Sequence, residues 1–381
     1  ILATLRTQSL QSSALRLENL TLHAFVDEFG AWDVAGFESD GSGSLNAWLE
    51  AFIGNVTQVE LVGNSLIVGL PDRSERSFTL DLLLRREGAR RQLGATLTAS
   101  EGAIVEVLVD GLGDPFNRAD YDGDIYIHTQ VRELASFVDL MPASVQSDLL
   151  VSGQAELEAW VGWKGGSSSI DVQVDADALD IRARDNSWRV PVQALSFGGS
   201  FVEQRNLWSV FASRVEVNNG GTPLSVPRVQ VDGWGDSMRV RAQKLDLAAV
   251  NQLLIDSGTM PEGLSSVLEI LSPAGELATI EYSVEDRSEL TDGWRVTANF
   301  EDLAVESWKG APGVRSASGF VELSPGSGSV ILDSQLLELA FPTIYDNPLR
   351  YNELYATIGL DWDKERLTLS SGRIVADGVE G

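Results

Sequence analysis

Residues 169–184 read SIDVQVDADALDIRAR. Ile170, Val172, Val174 and Ala176 share one parity, and Asp171, Gln173, Asp175 and Asp177 share the other. That is the period of a β-strand with one face in water. The parity then slips: Leu179, Ile181 and Ala183 become the apolar set, Asp180 and Arg182 the polar one. One extra residue near Ala178 produces such a slip, as a β-bulge does. The ladder is therefore expected to be irregular at Ala178–Leu179, with Leu179 on the same face as Val174. Solvent accounts for the acidic face. What covers the apolar face decides the fold.

The same alternation recurs along the chain. Phe78, Leu80, Leu82 and Leu84 recur at alternate positions, with Thr79 and Asp81 between, as do Val105, Val107 and Val109, then Met238, Val240 and Ala242. Trp294, Val296, Ala298 and Phe300 form a further set, and Leu354, Ala356, Ile358, Leu360 and Trp362 the last long one. Turn residues bound most runs (REGA, KGGSS, VNNGG, SPGSG), which predicts a predominantly antiparallel meander. Helical spacing is confined to 44–54, 132–141, 247–255 and 262–271, too little to cover both faces of a large sheet. Three blocks are expected, 1–115, 116–245 and 246–381, with seams near 113–124 and at the helical pair 247–271. No Pro-rich or charged linker separates them, so edge strands can continue from block to block as one long sheet.

The chain has 381 residues, 43% apolar and 22% charged, with a formal charge of −28. Such acidity repels nucleic acid and anionic membrane surfaces, so no nucleic-acid partner is expected. There is no cysteine, hence no disulfide framework or thiolate chemistry. The two histidines, His23 and His128, sit in strand-like stretches without a ligand cluster. Walker, dinucleotide-binding, HExxH and GxSxG motifs are absent, and the carboxylates spread along polar strand faces rather than pairing. No catalytic residue, cofactor or metal is therefore expected. Asp120, Asp122 and Asp124 resemble the front of a calcium loop, but Arg132 stands where a glutamate is needed, so an acidic turn is the better reading. Arg85, Arg86, Arg90 and Arg91 read better as hairpin flanks than as a phosphate site. Ten tryptophans, Trp160 and Trp163 among them, are core anchors or an apolar ligand surface. The chain starts without Met and ends in mid-pattern, and it reads as an interior piece of a longer protein.

The last third carries a recognisable series: SPAGELATIEYSV (272–284) with its P-x-G, NFEDLAVESWKGAPGV (299–314) with W-x-x-x-P-G-V, then G-x-V-x-L-D-S, F-P-x-x-Y and a final tryptophan within 316–381. The segments GDIYIHTQVRELASFVDLMP and GQAELEAWVGWKGG, and the helices DLAAVNQLLI and LEILSPAGEL, agree with it. From about residue 40 onward the chain resembles the YhdP family of AsmA-like proteins.

That resemblance implies a mainly β fold: a long, twisted, curled antiparallel sheet forming an open, taco-like apolar groove with a few short α-helices. It implies the periplasmic body of an inner-membrane-anchored protein of a Gram-negative bacterium, attached through a segment absent from this chain. Its cargo would be phospholipid, carried from inner to outer membrane, with envelope proteins at either membrane as further partners. Physics suits this reading. Exposing an acyl chain of about sixteen carbons to water costs on the order of 12 kcal/mol, which a continuous apolar floor offsets. By apolar parity the expected lining is Leu80, Leu82, Val107, Val172, Val174, Ile181, Val240, Val296, Phe300, Leu339, Phe341, Ile358 and Leu360. Trp308 and Pro312 read as structural. The competing reading is a non-catalytic structural or protein-binding module, a β-sandwich or solenoid whose apolar faces pack on each other. A carbohydrate-active enzyme would need two carboxylates converging in a cleft, and the sequence shows no such pair.

Overall fold

The computed structural model describes residues 12–26, 32–34, 56–70, 74–99, 102–113, 121–135, 149–165, 167–185, 188–204, 207–221, 223–257, 262–286, 293–363 and 366–378. Alternating sequence becomes strand nearly throughout. The chain divides into two compact units, Ile1–Asn186 and Ser187–Gly381.

The first unit holds β1 (Ser12–Glu18), β2 (Thr21–Val26), β3 (Trp32–Val34), β4 (Val56–Gly69), β5 (Glu75–Glu87), β6 (Arg90–Ala99), β7 (Ile104–Leu112), β8 (Asp122–Val131), β9 (Leu149–Lys164) and β10 (Ser167–Ala183). From β4 to β10 each strand pairs antiparallel with the next. Pairing is in register across residues 113–121, where Leu112 faces Asp122. On the other side of β4 the pattern departs from a pure meander: β1 and β2 lie in tandem, both parallel to it, and β3 pairs with β2.

β1 and β2 are one extended run interrupted at Asn19, whose φ is 54°. Asn64 repairs the break. It is 0% exposed, its Oδ1 accepts from the Leu20 N–H at 2.9 Å, and its Nδ2 donates to the Leu17 carbonyl at 3.2 Å. Such a buried carboxamide is tolerable because both its oxygen and its nitrogen are hydrogen-bonded. Next to it β4 bulges between Leu61 and Asn64, and the Gly63 N–H donates to Asp81 at 2.7 Å.

In β10 the ladder runs to Asp177 opposite Gln154 and resumes at Asp180 opposite Ser152. Ala178 takes φ 52°, and Leu179 is buried together with Ala176 and Ala183. The irregularity falls where the parity slip places it. Gly153 makes room, for a Cβ there would lie 2.6 Å from the Ala178 carbonyl oxygen.

The second unit holds β11 (Arg189–Gln204), β12 (Leu207–Asn218), β13 (Leu224–Val226), β14 (Val229–Trp234), β15 (Ser237–Asp246), α1 (Leu247–Ser257), α2 (Glu262–Leu271), β16 (Ala274–Val284), β17 (Trp294–Val305), β18 (Gly313–Ser324), β19 (Ser327–Ala340), β20 (Leu349–Trp362) and β21 (Leu367–Gly378). Its pairings are antiparallel, with β13 and β14 in tandem along β12. The helical patterns at 247–255 and 262–271 form α1 and α2. Asp246 caps α1 by accepting from the Ala249 N–H at 2.8 Å. The helical patterns at 44–54 and, beyond residue 135, at 132–141 lie outside the described residues.

Across β16–β19 a line of irregularities bends the sheet. Thr279, Asp302, Ser316 and Leu336 take φ of 51°, 49°, 57° and 55° in four successive strands. Their parity slips keep apolar residues on one side. Bulges of this kind raise local twist and curvature. Inside the bend, Phe300, Ala317, Leu337, Leu354 and Ala356 form a buried cluster, and Leu337 is 0% exposed. The side chains packed on that cluster come from β16–β20 themselves, so the sheet curls over its own apolar face. The backbone freed by the bulge in β18 is satisfied from within. Buried Ser334 accepts from the Ser318 N–H at 2.9 Å and donates to the Ser318 carbonyl at 3.0 Å.

Candidate functional site

Residues directly opposite in a ladder share a face, so register converts alternation into surface. In the first unit Leu61, Leu82, Ala95, Val107, Ile127, Ala159 and Val172 form one row across seven strands. A second row runs Val59, Leu84, Leu93, Val109, Ile125, Val161 and Ile170. A third runs from Asn64 through Leu80, Leu97, Val105, Thr129 and Leu157 to Val174. In the second unit Phe201, Val210, Val231, Val240, Tyr282, Val296, Leu323, Gly328, Leu360 and Leu369 cross ten strands. At ~4.8 Å per strand spacing, these rows measure about 29 and 43 Å along their sheets.

Most of these side chains are neither core nor surface. Leu82, Val107, Val172, Val174, Ile181, Val240, Val296, Leu339, Ile358 and Leu360 are half-buried. Leu80 and Phe300 are buried, Phe300 within the cluster around Leu337. Phe341 lies one residue beyond β19, in a turn, with its ring edge-on to Tyr345 at 6.3 Å. α1 packs mainly on β11, β13, β15, β16 and α2. Sequence reasoning did not single out Ile127, Leu157, Val161, Tyr282 or Leu323. Their own alternation marks them, but register was needed to join them to the rows.

The opposite face is charged. His128 stands between Glu156, 3.0 Å from Nε2, and Glu106, 3.6 Å from Nδ1. The hydrogen bond to Glu156, helped by Glu106, raises the imidazole pKa above its ordinary value. Arg241 pairs with Asp232 at 2.6 Å and Arg350 with Glu338 at 2.8 Å across neighbouring strands. Exposed pairs of this kind add little stability but keep the face soluble.

The arginine-rich turn is a hairpin flank: Arg90 grips Asp110 with both arms of its fork, and Arg91 donates to the carbonyls of Ala89 and Gly113. Asp122 accepts from the Gly165 N–H at 3.0 Å, and no metal-ligand cluster exists among the described residues. Trp163 lies on the apolar face 6.5 Å from the Tyr121 ring, whereas Trp160, on the other parity, is exposed. Trp308 closes a small turn with Ala311, its ring under Lys309 at 4.3 Å.

The chain matches the family described as YhdP protein over residues 1–378. It is 26% identical over 123 residues to the intermembrane phospholipid transporter YhdP of Escherichia coli (strain K12), covering 32% of this chain and 10% of that protein. The matched stretch is thus about a tenth of that relative's length. No solved structure matches the chain.

Proposed function

Because the chain belongs to the YhdP family, we propose that its apolar sheet faces carry phospholipid acyl chains between the inner and outer membranes of a Gram-negative bacterium. On this reading the chain works in the periplasm, within a longer protein held at the inner membrane. One observation carries the proposal: rows of mostly apolar side chains, most of which remain half-exposed. A packed module would bury such rows, since leaving them wet forfeits about 25 cal/mol for every Å². An acyl chain is the partner that fits their shape. One leaflet accounts for half of a ~30 Å hydrocarbon core, so a row of seven strands is about twice an acyl chain's length. In the two rows through Leu82 and Leu84 every position is aliphatic, so a chain can slide along them with little change in free energy. Head groups would stay outside, where the acidic face disfavours anionic surfaces.

Protein purified without detergent is expected to carry phospholipid detectable by mass spectrometry, and to take it up again after stringent delipidation. Failure of delipidated protein to bind phospholipid or detergent would remove the proposal for this chain.

A further inference from the structure

On the charged face of β5–β9 the alternation fails along a row that crosses all five strands. Leu83, Gly94, Leu108, Tyr126 and Trp160 are mutually opposite across five adjacent strands, on the parity that otherwise carries charge. Leu108 is 55% exposed and Trp160 39%. The Tyr126 and Trp160 rings are 5.4 Å apart and tilted by 42°. The residues enclose a depression of about 560 Å³, within the range of small-molecule sites. Gly94 forms its floor, where an added Cβ would meet only Leu108 Cδ2 at 3.5 Å. The rim is polar: Arg85, Gln92, Asp124 and Asp171. Asp110, also on the rim, is held by Arg90 and Gln92. Arg85, Asp124 and Asp171 have no hydrogen bond or ion pair among the described residues, so their capacity is open to a ligand.

We propose that this depression binds a short uncharged oligosaccharide. A pyranose ring has an apolar C–H face that fits the aromatic floor and an equatorial rim of hydroxyls that both donate and accept. Asp124 and Asp171 accept from hydroxyls, Arg85 donates to them, and the Gln92 amide can do either. An acyl chain does not fit, because it would strip water from those charges without replacing it. An anion meets more carboxylates than free cations. A small cation would use the carboxylates and the rings but leave Arg85 unmatched. A peptide strand has no edge to join, since β5 to β9 are interior strands whose backbone is already paired on both sides.

The test is calorimetric titration of the full chain with cellotriose and N-acetylchitotriose, with choline as the cationic probe and dioctanoyl phosphatidylglycerol as the lipid probe. At about 10 mM ligand at least one trisaccharide should bind measurably. Trp160→Ala and Gly94→Leu should each weaken it roughly tenfold, with circular dichroism and phospholipid uptake unchanged. Asp171→Ala, at an exposed rim position that carries no fold contact, should weaken it as well. The proposal is overturned if neither trisaccharide binds, if Trp160→Ala and Asp171→Ala leave saccharide binding intact, or if choline or the lipid competes for the site.

Discussion

Val172→Glu separates a wet groove from a packed core, and its size can be worked out. Val172 is half-buried on β10, opposite Ala159 and in one row with Ile127 and Val107. In the free protein a carboxylate there keeps contact with water, so the fold should lose only about 1 kcal/mol of apolar burial. Under an acyl chain the carboxylate is dehydrated and must take up a proton. At pH 7, with an ordinary glutamate pKa of about 4.3, that costs about 3.7 kcal/mol, or roughly 500-fold in local occupancy. At pH 5 the cost falls to about 1 kcal/mol, or roughly fivefold. Acidification should therefore restore occupancy about 100-fold for Val172→Glu, and not for Val172→Lys. Broadening of the Ile127 methyl resonance by a phospholipid spin-labelled on its acyl chain reads this locally, which matters because lipid remains free to bind elsewhere on the face. Unfolding of the Val172→Glu protein, as expected of a sandwich core, would contradict a wet groove. Unaffected broadening at Ile127 at pH 7 would contradict it as well.

Ala178→Val should destabilise by about 1–2 kcal/mol in urea unfolding, because a β-branched side chain is forced into the left-handed region at φ 52°; a neutral result would mean the bulge is not kept in solution. Asn64→Ala should orphan the Leu20 N–H and the Leu17 carbonyl, costing about 2–3 kcal/mol. Hydrogen exchange in β1 and β2 should rise before the rest of the first unit, and uniform protection would contradict this. His128 should titrate above 6.5 by NMR and move back towards it in Glu156→Gln. With the folded pKa raised, the pair adds stability below the unfolded value near 6.5, which is lost as pH rises through the folded value. A folded His128 pKa at or below 6.5 would refute the contact.

The strands were legible because period-2 alternation follows directly from burial on one side. SIDVQVDADALDIRAR even located a bulge, since a parity slip is visible without knowing the partner strand. The bulges at Thr279, Asp302, Ser316 and Leu336 left fainter traces, because serine, threonine and alanine near each slip blur the apolar set. Register was not legible: nothing local to Val107 states that it faces Ala95 and Ile127. The parallel pairing of β1 and β2 with β4 was also hidden, because it depends on a crossover rather than on a turn. Trp160 and Trp163 differ by an odd number of positions and so fall on opposite faces. That much was written in the sequence, but only the rows around them show that one anchors the apolar face and the other interrupts the charged one.

That lipid meets one parity of these strands is tested most directly by a residue-level crosslinking map with a phospholipid carrying a diazirine near the end of its acyl chain. Adducts are predicted at Val107, Ile127, Val172 and Val174 in the first unit, and at Val240, Val296 and Leu360 in the second. The intervening residues Glu106, His128, Gln173 and Arg241 should remain unlabelled. Adducts spread evenly over both parities, or confined to the Leu108–Trp160 depression, would contradict it.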